Sequence, residues 1–530
     1  MVAAQPGATA IPGAAGVSND DQRAAIAFLS CASSYGAGIT EVATISTHAS
    51  IVFLAGDRAF KLKRAVKYPY LDFSTPALRH HACESELALN RRTAPQLYLA
   101  LWSINQAPDG SLAFQGAGPA IDWVVVMQRF DQAALFDRLA ADRALTAPLM
   151  TRLADRIAAF HDGAERTPAH GGSAGIAAVI AINETALAGL TPAIFDPSTT
   201  DAVCAMTRDA LPEQAQLLER RRVAGKVRHC HGDLHLGNIC LIDGEPTLFD
   251  CLEFSRELAC IDVLYDLAFL LMDLEHRQQR TFANLIFNRY LDRTDQADGI
   301  AAVRLFASLR ATIRAHVRAT AADARQDAAP RQAESAQARS YLALAGDLLH
   351  RVSPRLIAIG GLSGTGKSTL AAALAPAIGG FPGARVLRSD VIRKRMLGVA
   401  MEERCPASGY AKAVTARVYD GMQRQAGDAL RAGHCVILDA VAADPAERAE
   451  FAATAAAAGV PFSGLWLEAA PDILAARIEN RRGDVSDATV EVLRRQLEMD
   501  IGRLDWPVLA TGGDLPSGIA AARRLLDISA

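Results

Sequence analysis

The chain has 530 residues, half of them hydrophobic and 21% charged, with 55 Lys plus Arg against 58 Asp plus Glu for a net charge of −3. That composition belongs to a globular protein, not a disordered one, and at roughly 150 residues per domain the length predicts two to four domains. Near-balanced charge excludes a surface coated in basic patches and argues against bulk nucleic-acid binding.

In chain order, residues 1–19 are Ala, Gly and Pro without a period and read as a disordered leader. A strand-rich stretch follows. It has a strand at Thr40–Ser46 and a hairpin of Ile51–Leu54 and Ala59–Lys63 turning at Gly56-Asp57. Helical spacing covers Leu78–Arg92, and strands return at Leu97–Ile104 and Trp123–Gln128. From Asp131 to Arg222 the pattern is mostly helical. Short strands are then expected at Val227–Cys230, Ile239–Ile242 and Thr247–Phe249, with helices again from Ile261. Residues 319–353, rich in Ala, Gln, Arg and Asp around Pro330, read as a partly helical linker between domains at 20–318 and 354–530. Beyond Pro354, strands at Arg355–Ile359, Ala384–Leu387, Cys435–Leu438 and Pro461–Leu467 alternate with helices, the pattern of a parallel sheet covered on both faces.

Nine cysteines are scattered without any C-x-x-C pair, which points away from a disulfide framework or structural zinc and towards a cytoplasmic protein. No signal peptide is apparent. The best candidate for a membrane span, Ile261–Met272, is short and interrupted by Asp262 and Asp266, so no membrane association is expected.

Gly361-Leu-Ser363-Gly364-Thr365-Gly366-Lys367-Ser368 matches G-x-x-x-x-G-K-[ST], the Walker A pattern, in full. It follows an apolar strand and precedes an Ala-rich helix through Thr369. Its glycines let backbone N–H groups face phosphates, Lys367 reaches the β and γ phosphates, and Ser368 is placed for Mg²⁺. Asp390 ends the second strand and could take the proton of an attacking hydroxyl, or could simply cap the next helix. Arg393, one turn on, could hold the acceptor or its phosphate. Asp439 closes the strand Cys435–Leu438, where a carboxylate would meet Mg²⁺. Arg477, Arg481 and Arg482 read as a helical lid over phosphates or as a solvated basic face.

Earlier, His231-Gly-Asp233-Leu-His235-Leu-Gly-Asn238 is followed by Leu248-Phe-Asp250. An Asp, an Asn five residues on, and an Asp at the end of a short strand form the catalytic layout of protein kinases. In that layout Asp233 orients or deprotonates a hydroxyl, and Asn238 and Asp250 hold Mg²⁺. Lys61 and Lys63 share one face of the third strand, and either could bind phosphate; Lys61 is preferred. Its partner would be Glu84 or Glu86, with Glu86 preferred. No G-x-G-x-x-G precedes Lys61; Ser46-Thr-His-Ala-Ser50 stands in its place. From Asp250 to Glu275 there are seven acidic residues and one Arg. An acidic groove would suit a polycationic acceptor; the plainer reading assigns two of the seven to metal and fold and leaves the rest solvated.

The His-Gly-Asp form of the first motif resembles the aminoglycoside phosphotransferase and choline kinase families. The second half, through its P-loop, Ser389-Asp390-Val-Ile-Arg393-Lys394 and the lid arginines followed by Asp484 and Ser486-Asp487, resembles small P-loop kinases such as gluconate kinase, chloramphenicol phosphotransferase and polynucleotide kinase. The order of the halves, with Lys61-Leu-Lys-Arg, Tyr70-Leu-Asp-Phe-Ser-Thr and Phe249-Asp-Cys-Leu-Glu-Phe, resembles bacterial fusions described as bifunctional aminoglycoside phosphotransferase/ATP-binding proteins. The resemblance implies an α+β protein-kinase-like domain followed by an α/β P-loop NTPase domain. It also implies ATP and Mg²⁺ as cofactors and a small-molecule hydroxyl as acceptor, with Asp390 as base and Asp266 bracing the catalytic loop. Two alternatives stay open. The P-loop half alone could be a kinase regulated by a ligand-binding first half, or it could process nucleic-acid ends.

Overall fold

A computed structural model of the chain describes residues 22–47, 49–68, 71–323, 325, 327–481 and 485–528. The leader expected over 1–19, together with His48, Tyr70, Arg482 and Asp484, lies outside the described residues. The chain divides into two units, 1–277 with 302–349, and 278–301 with 350–530.

The first unit opens with an antiparallel sheet of β1 (Val42–Ser46), β2 (Ser50–Ala55), β3 (Arg58–Lys63), β4 (Tyr98–Gln106), β5 (Leu112–Phe114) and β6 (Ala120–Gln128), in the order β1-β2-β3-β6-β4-β5. The side-chain period of two divides its faces. Phe60 and Leu62 of β3 join Phe53, Val124 and Val126 in an apolar layer that also receives Ala25 and Leu29. On the other face Ala59, Val125 and Met127 pack with Cys83 of the helix Pro76–Asn90. That face also carries Lys61 and Lys63. The helix begins where expected because Thr75 accepts the Leu78 N–H and Pro76 occupies its first turn.

Two short antiparallel ladders follow, β7 (Val227–His229) with β10 (Cys260–Asp262), and β8 (Ile239–Ile242) with β9 (Glu245–Leu248). The rest of the unit is helical. Val263–His276 is buried all round from Val263 to Leu274, as a central helix must be. Gly172–Leu190 is the one helix among the described residues long and apolar enough to cross a membrane, a longer candidate than Ile261–Met272. It packs against Pro197–Val223 and Val303–Asp323.

The linker expected over 319–353 needs correction. Val303–Asp323 continues into it, and Ala328–Leu349 is a helix that packs on Val303–Asp323 through Ala338, Leu342 and Ala345, with Ser308 Oγ donating to Ala345 O at 2.8 Å. Its composition looks like a linker because only one stripe is apolar.

The second unit holds a five-stranded parallel sheet of β11 (Leu356–Gly361), β12 (Arg385–Arg388), β13 (Val436–Asp439), β14 (Phe462–Glu468) and β15 (Val508–Ala510), in the order β12-β13-β11-β14-β15. Chain order reverses beside β11, and a crevice opens there beyond the strand ends. The edge strand β12 is covered by Arg280–Arg293, a helix from far upstream. Asn288 Oδ1 accepts the Val386 N–H at 2.8 Å, Asn284 donates to Pro382 O and Ala384 O at 3.1 and 3.0 Å, and Arg385 pairs with Asp292 at 2.7 Å. Side-chain amides thus take the place of a missing strand. The boundary at 354 is corrected accordingly, since this unit also needs 278–301.

Candidate active sites of the two units

In the first unit β3 presents both lysines to one buried carboxylate. Lys61 Nζ lies 2.7 Å from Glu86 Oε1 and 2.6 Å from Asp250 Oδ1, and Lys63 Nζ lies 2.5 Å from Glu86 Oε2 and pairs with Glu253. Burial opposes the charge on Glu86, but the two ammonium groups prevail and hold its carboxyl below the usual range. Glu84, the other candidate, faces solvent beside His80. Asp250 adopts the left-handed backbone conformation, φ 61°, unusual for a residue other than glycine. Its N–H donates to the Tyr98 hydroxyl at 3.2 Å, and the next N–H, of Cys251, donates to Asn90 at 2.8 Å.

The catalytic-type loop is built by Asp266. Its two oxygens accept the N–H groups of His231 and Gly232 at 3.0 and 2.9 Å, and His161 Nε2 lies 3.1 Å away. With Cys230 these residues bring three possible ligand atoms within 4.8 Å of one another, but the Asp266 oxygens are already spent on the loop. Asn238 Nδ2 donates to Asp233 Oδ2 at 2.9 Å and to its backbone carbonyl at 3.0 Å, while His235 Nε2 stands 3.5 Å from the same carboxylate. Burial works against Asp233, but His235 first, then Arg314 and His231, hold its carboxyl well below the usual range. Two further acidic residues of this stretch are less solvated than expected. Asp262 pairs with Arg221 at 2.8 Å, and Asp273 accepts the Leu236 N–H at 3.1 Å. In place of a glycine-rich loop, β1 and β2 join in a tight turn where Thr47 Oγ1 accepts the Ser50 N–H at 2.9 Å.

In the second unit a cavity of about 1040 Å³ is lined by Ser363, Gly364, Thr365, Gly366, Lys367, Ser368 and Thr369 together with Asp390, Arg393, Asp439, Arg477 and Arg481. Gly361, at the end of β11, takes φ 139°, and a Cβ there would stand 2.6 Å from Leu467 O, so only glycine fits. The helix Lys367–Leu374 starts directly from the loop. Lys367 Nζ donates to Leu362 O at 2.9 Å. Burial pushes the Lys367 ammonium down despite the nearby Asp439 and Asp390. Ser368 Oγ donates to Asp439 Oδ2 at 2.6 Å, and Arg388 Nε lies 3.4 Å from the same oxygen. Burial raises the Asp390 carboxyl above its ordinary range, with Ser486 opposing as a hydrogen-bond donor.

Arg393 is engaged differently from what its spacing suggests. It donates to Gly409 O at 2.6 Å and Thr415 Oγ1 at 3.2 Å, with its guanidinium 4.7 Å over the Tyr410 ring. Arg477 closes the helix Pro471–Glu479, reaching Gly364 O at 3.5 Å and Thr511 O at 2.5 Å, and Arg481 lies beyond that helix.

Sequence reasoning missed two neighbours of these sites. Gln496 Oε1 accepts the Ser363 N–H at 2.9 Å, and Thr511 Oγ1 donates to Thr365 O at 2.9 Å. Asp487 gathers Lys394 at 3.2 Å, the Cys405 N–H at 2.8 Å and the Tyr410 hydroxyl at 2.8 Å. Glu253 is legible in the sequence only as a member of a longer phrase, whereas Lys63 is one of the two candidate phosphate-binding lysines.

Two family models match the chain, and the first runs through 278–301, which packs with the second unit. The phosphotransferase enzyme family matches residues 71–306, and the AAA domain family matches residues 356–499. An uncharacterized protein of Mycobacterium tuberculosis and another of Mycobacterium bovis are each 33% identical over 476 residues, which cover 87% of this chain and 91% of theirs. Among solved structures, a choline/ethanolamine kinase family protein from Mesorhizobium loti is 15% identical, covering 61% of this chain and 99% of that one, with a TM-score of 0.37. The Mycobacterium tuberculosis APS kinase CysC is 20% identical, covering 33% and 98%, with a TM-score of 0.26. The chain belongs with those mycobacterial proteins to a family of ATP-dependent kinases/phosphotransferases that fuse a phosphotransferase-family unit to a P-loop unit.

Proposed function

We propose that each unit transfers the γ-phosphoryl group of ATP to a hydroxyl of a small-molecule acceptor. In the first unit Lys61 is the phosphate-binding residue, kept in place by Glu86, and Asp233 receives the acceptor proton as the hydroxyl oxygen bonds to phosphorus and the β–γ bridging bond breaks. The fully ionised state expected of Asp233 suits orientation of the hydroxyl more than early proton capture. In the second unit the loop from Gly361 to Thr369 cradles the phosphates, Lys367 neutralises them, and Asp390 takes the proton. Its raised carboxyl makes it the stronger base of the two.

Mg²⁺ fits both sites by donor chemistry. Asn238 spends its amide NH₂ on Asp233, which leaves its amide oxygen as a donor to a cation, and Asp250 adds a carboxylate; Ser368 and Asp439 offer a hydroxyl and a carboxylate. When bound, the ion would supply charge neutralisation to the phosphates. Arg477 and Arg481 would face the phosphates from the cavity wall, and Arg393, held by Gly409 O and Thr415 Oγ1, would hold the acceptor or its phosphate.

The observation that carries the reading is the Lys61 bridge between Glu86 and Asp250, which supports an active first unit over a merely ligand-binding one. The nine cysteines, all free, support a reducing cytoplasm. The test is transfer from γ-labelled ATP to a pooled panel of sugars, amino alcohols, aminoglycosides and nucleosides. It is run on wild type, Asp233→Ala and Lys367→Ala. Separate products lost with separate variants are expected. A single product that survives Asp233→Ala and disappears with Lys367→Ala would reduce the first unit to a sensor.

A further inference from the structure

Five charged side chains of the first unit form an alternating chain: Asp250, Lys61, Glu86, Lys63 and Glu253. Glu86 gives one oxygen to each lysine, Oε1 to Lys61 at 2.7 Å and Oε2 to Lys63 at 2.5 Å. Only the Asp250 end is open, with its side chain 38% exposed against 0% for Glu86 and 1% for Lys63. The phosphoryl-transfer reading uses Asp250, Lys61 and Glu86. It leaves a buried ammonium and its carboxylate partner without a task.

The geometry supplies one. Lys61 now divides its charge between Glu86 and Asp250, and a nucleotide with its cation would claim both Lys61 and Asp250. The Lys61–Asp250 contact is then the one that must break. Lys61 stays aimed only if Glu86 does not turn with it. A carboxylate held through one oxygen can pivot; one held through both, by ammonium groups on the same strand two residues apart, cannot. Lys63 is itself immobile. Glu253 holds its ammonium, the Phe73 ring lies 5.3 Å from Nζ, and Gln22 Nε2 donates to its backbone carbonyl at 2.8 Å.

We infer that Lys63, anchored by Glu253, is a positioning residue for the nucleotide of the first unit, fixing Glu86 so that Lys61 remains aimed at the phosphates once Asp250 releases it. This rests on the reading of that unit as a nucleotide site.

The test is calorimetric titration of the full-length protein with MgATP in a Lys367→Ala background, which weakens the second site. The double variant Lys63→Met/Glu253→Met removes one charge of each sign, so no orphaned ion is left at the closed end. It is expected to keep its melting transition and to bind ATP about tenfold more weakly, while Lys63→Arg stays within about threefold of the parent. Glu253→Gln, which conserves volume, is expected to lose about threefold. If Lys63 serves only to neutralise Glu253, the double variant will bind ATP as tightly as the parent, and that result overturns the inference. An unchanged affinity in Glu253→Gln also counts against it. If the parent shows no ATP binding that Lys61→Ala removes, the nucleotide reading of the unit falls, and the inference with it.

Discussion

Asn288 is where the second unit depends most directly on a distant piece of the chain. Its Oδ1 accepts the Val386 N–H at 2.8 Å and an Arg385 guanidinium N–H at 3.1 Å, and its Nδ2 donates to Ala384 O at 3.1 Å. Val386 pairs with Ile437 on one side of β12 and has no strand on the other. Asn288→Ala deletes these three hydrogen bonds to the 384–386 segment, along with the Nδ2 contacts to Asn284 within its own helix, and leaves that N–H without its partner. At about 1 kcal/mol per bond, with water replacing part of the loss at a half-buried site, the cost is about 2–4 kcal/mol. The assay is urea denaturation read by tryptophan fluorescence in a Trp102→Phe/Trp123→Phe background, where Trp466 and Trp506 report the second unit alone. With an m-value of about 2–3 kcal/mol/M, the midpoint should fall by about 1 M. A midpoint unmoved to within about 0.2 M would refute the claim that Arg280–Arg293 closes this sheet edge. Because β12 leads straight into Asp390, the same variant should also blunt phosphoryl transfer by the second unit while leaving the first unit's product intact.

Other outcomes follow from single residues. Asp390→Asn should lower transfer by the second unit by about 10²–10⁴-fold with ATP affinity little changed, as read by initial rates and calorimetry; full activity would remove Asp390 from the chemistry. Gln496→Glu places a carboxylate on the Ser363 N–H, where it competes with phosphate, so ATP binding at the second site should weaken; Gln496→Ala should not weaken it. His316 is buried among the helices of the first unit, and burial pushes its pKa down to about 4. The unfolded chain, with an ordinary histidine near 6.5, takes up the proton first as pH falls, so stability is full above that value and is lost on acidification. At pH 5 the loss is ~2 kcal/mol, and His316→Asn should flatten that part of the stability–pH curve.

The parts legible in sequence are those whose residues are contiguous. The loop from Gly361 to Ser368 and the run from His231 to Asp250 carry their chemistry in one stretch, while the pattern narrows the lysine to Lys61 or Lys63 and its partner to Glu84 or Glu86 without choosing between them. Residues whose meaning arises only from packing stayed hidden. Gln496 meets Ser363 across 133 residues, and Glu253 meets Lys63 across 190. Arg393 lines the same cavity as Asp390, but its bonds to Gly409 and Thr415 could not be read from its spacing. The helix Arg280–Arg293 has the same helical grammar as its neighbours, so nothing in its pattern says which sheet it covers. β15 is only three residues long and falls below any periodic signal.

The interleaving of the units, 1–277 with 302–349 and 278–301 with 350–530, has a consequence for how the protein can be made and inherited. No single peptide bond separates two whole pieces. During synthesis the helix Arg280–Arg293 leaves the ribosome long before the strand it will shield, and it must wait while the first unit collects its last two helices. A gene break anywhere in the later segment of the first unit strands that helix on the wrong product. The two units therefore travel as one hereditary object, lost together or kept together.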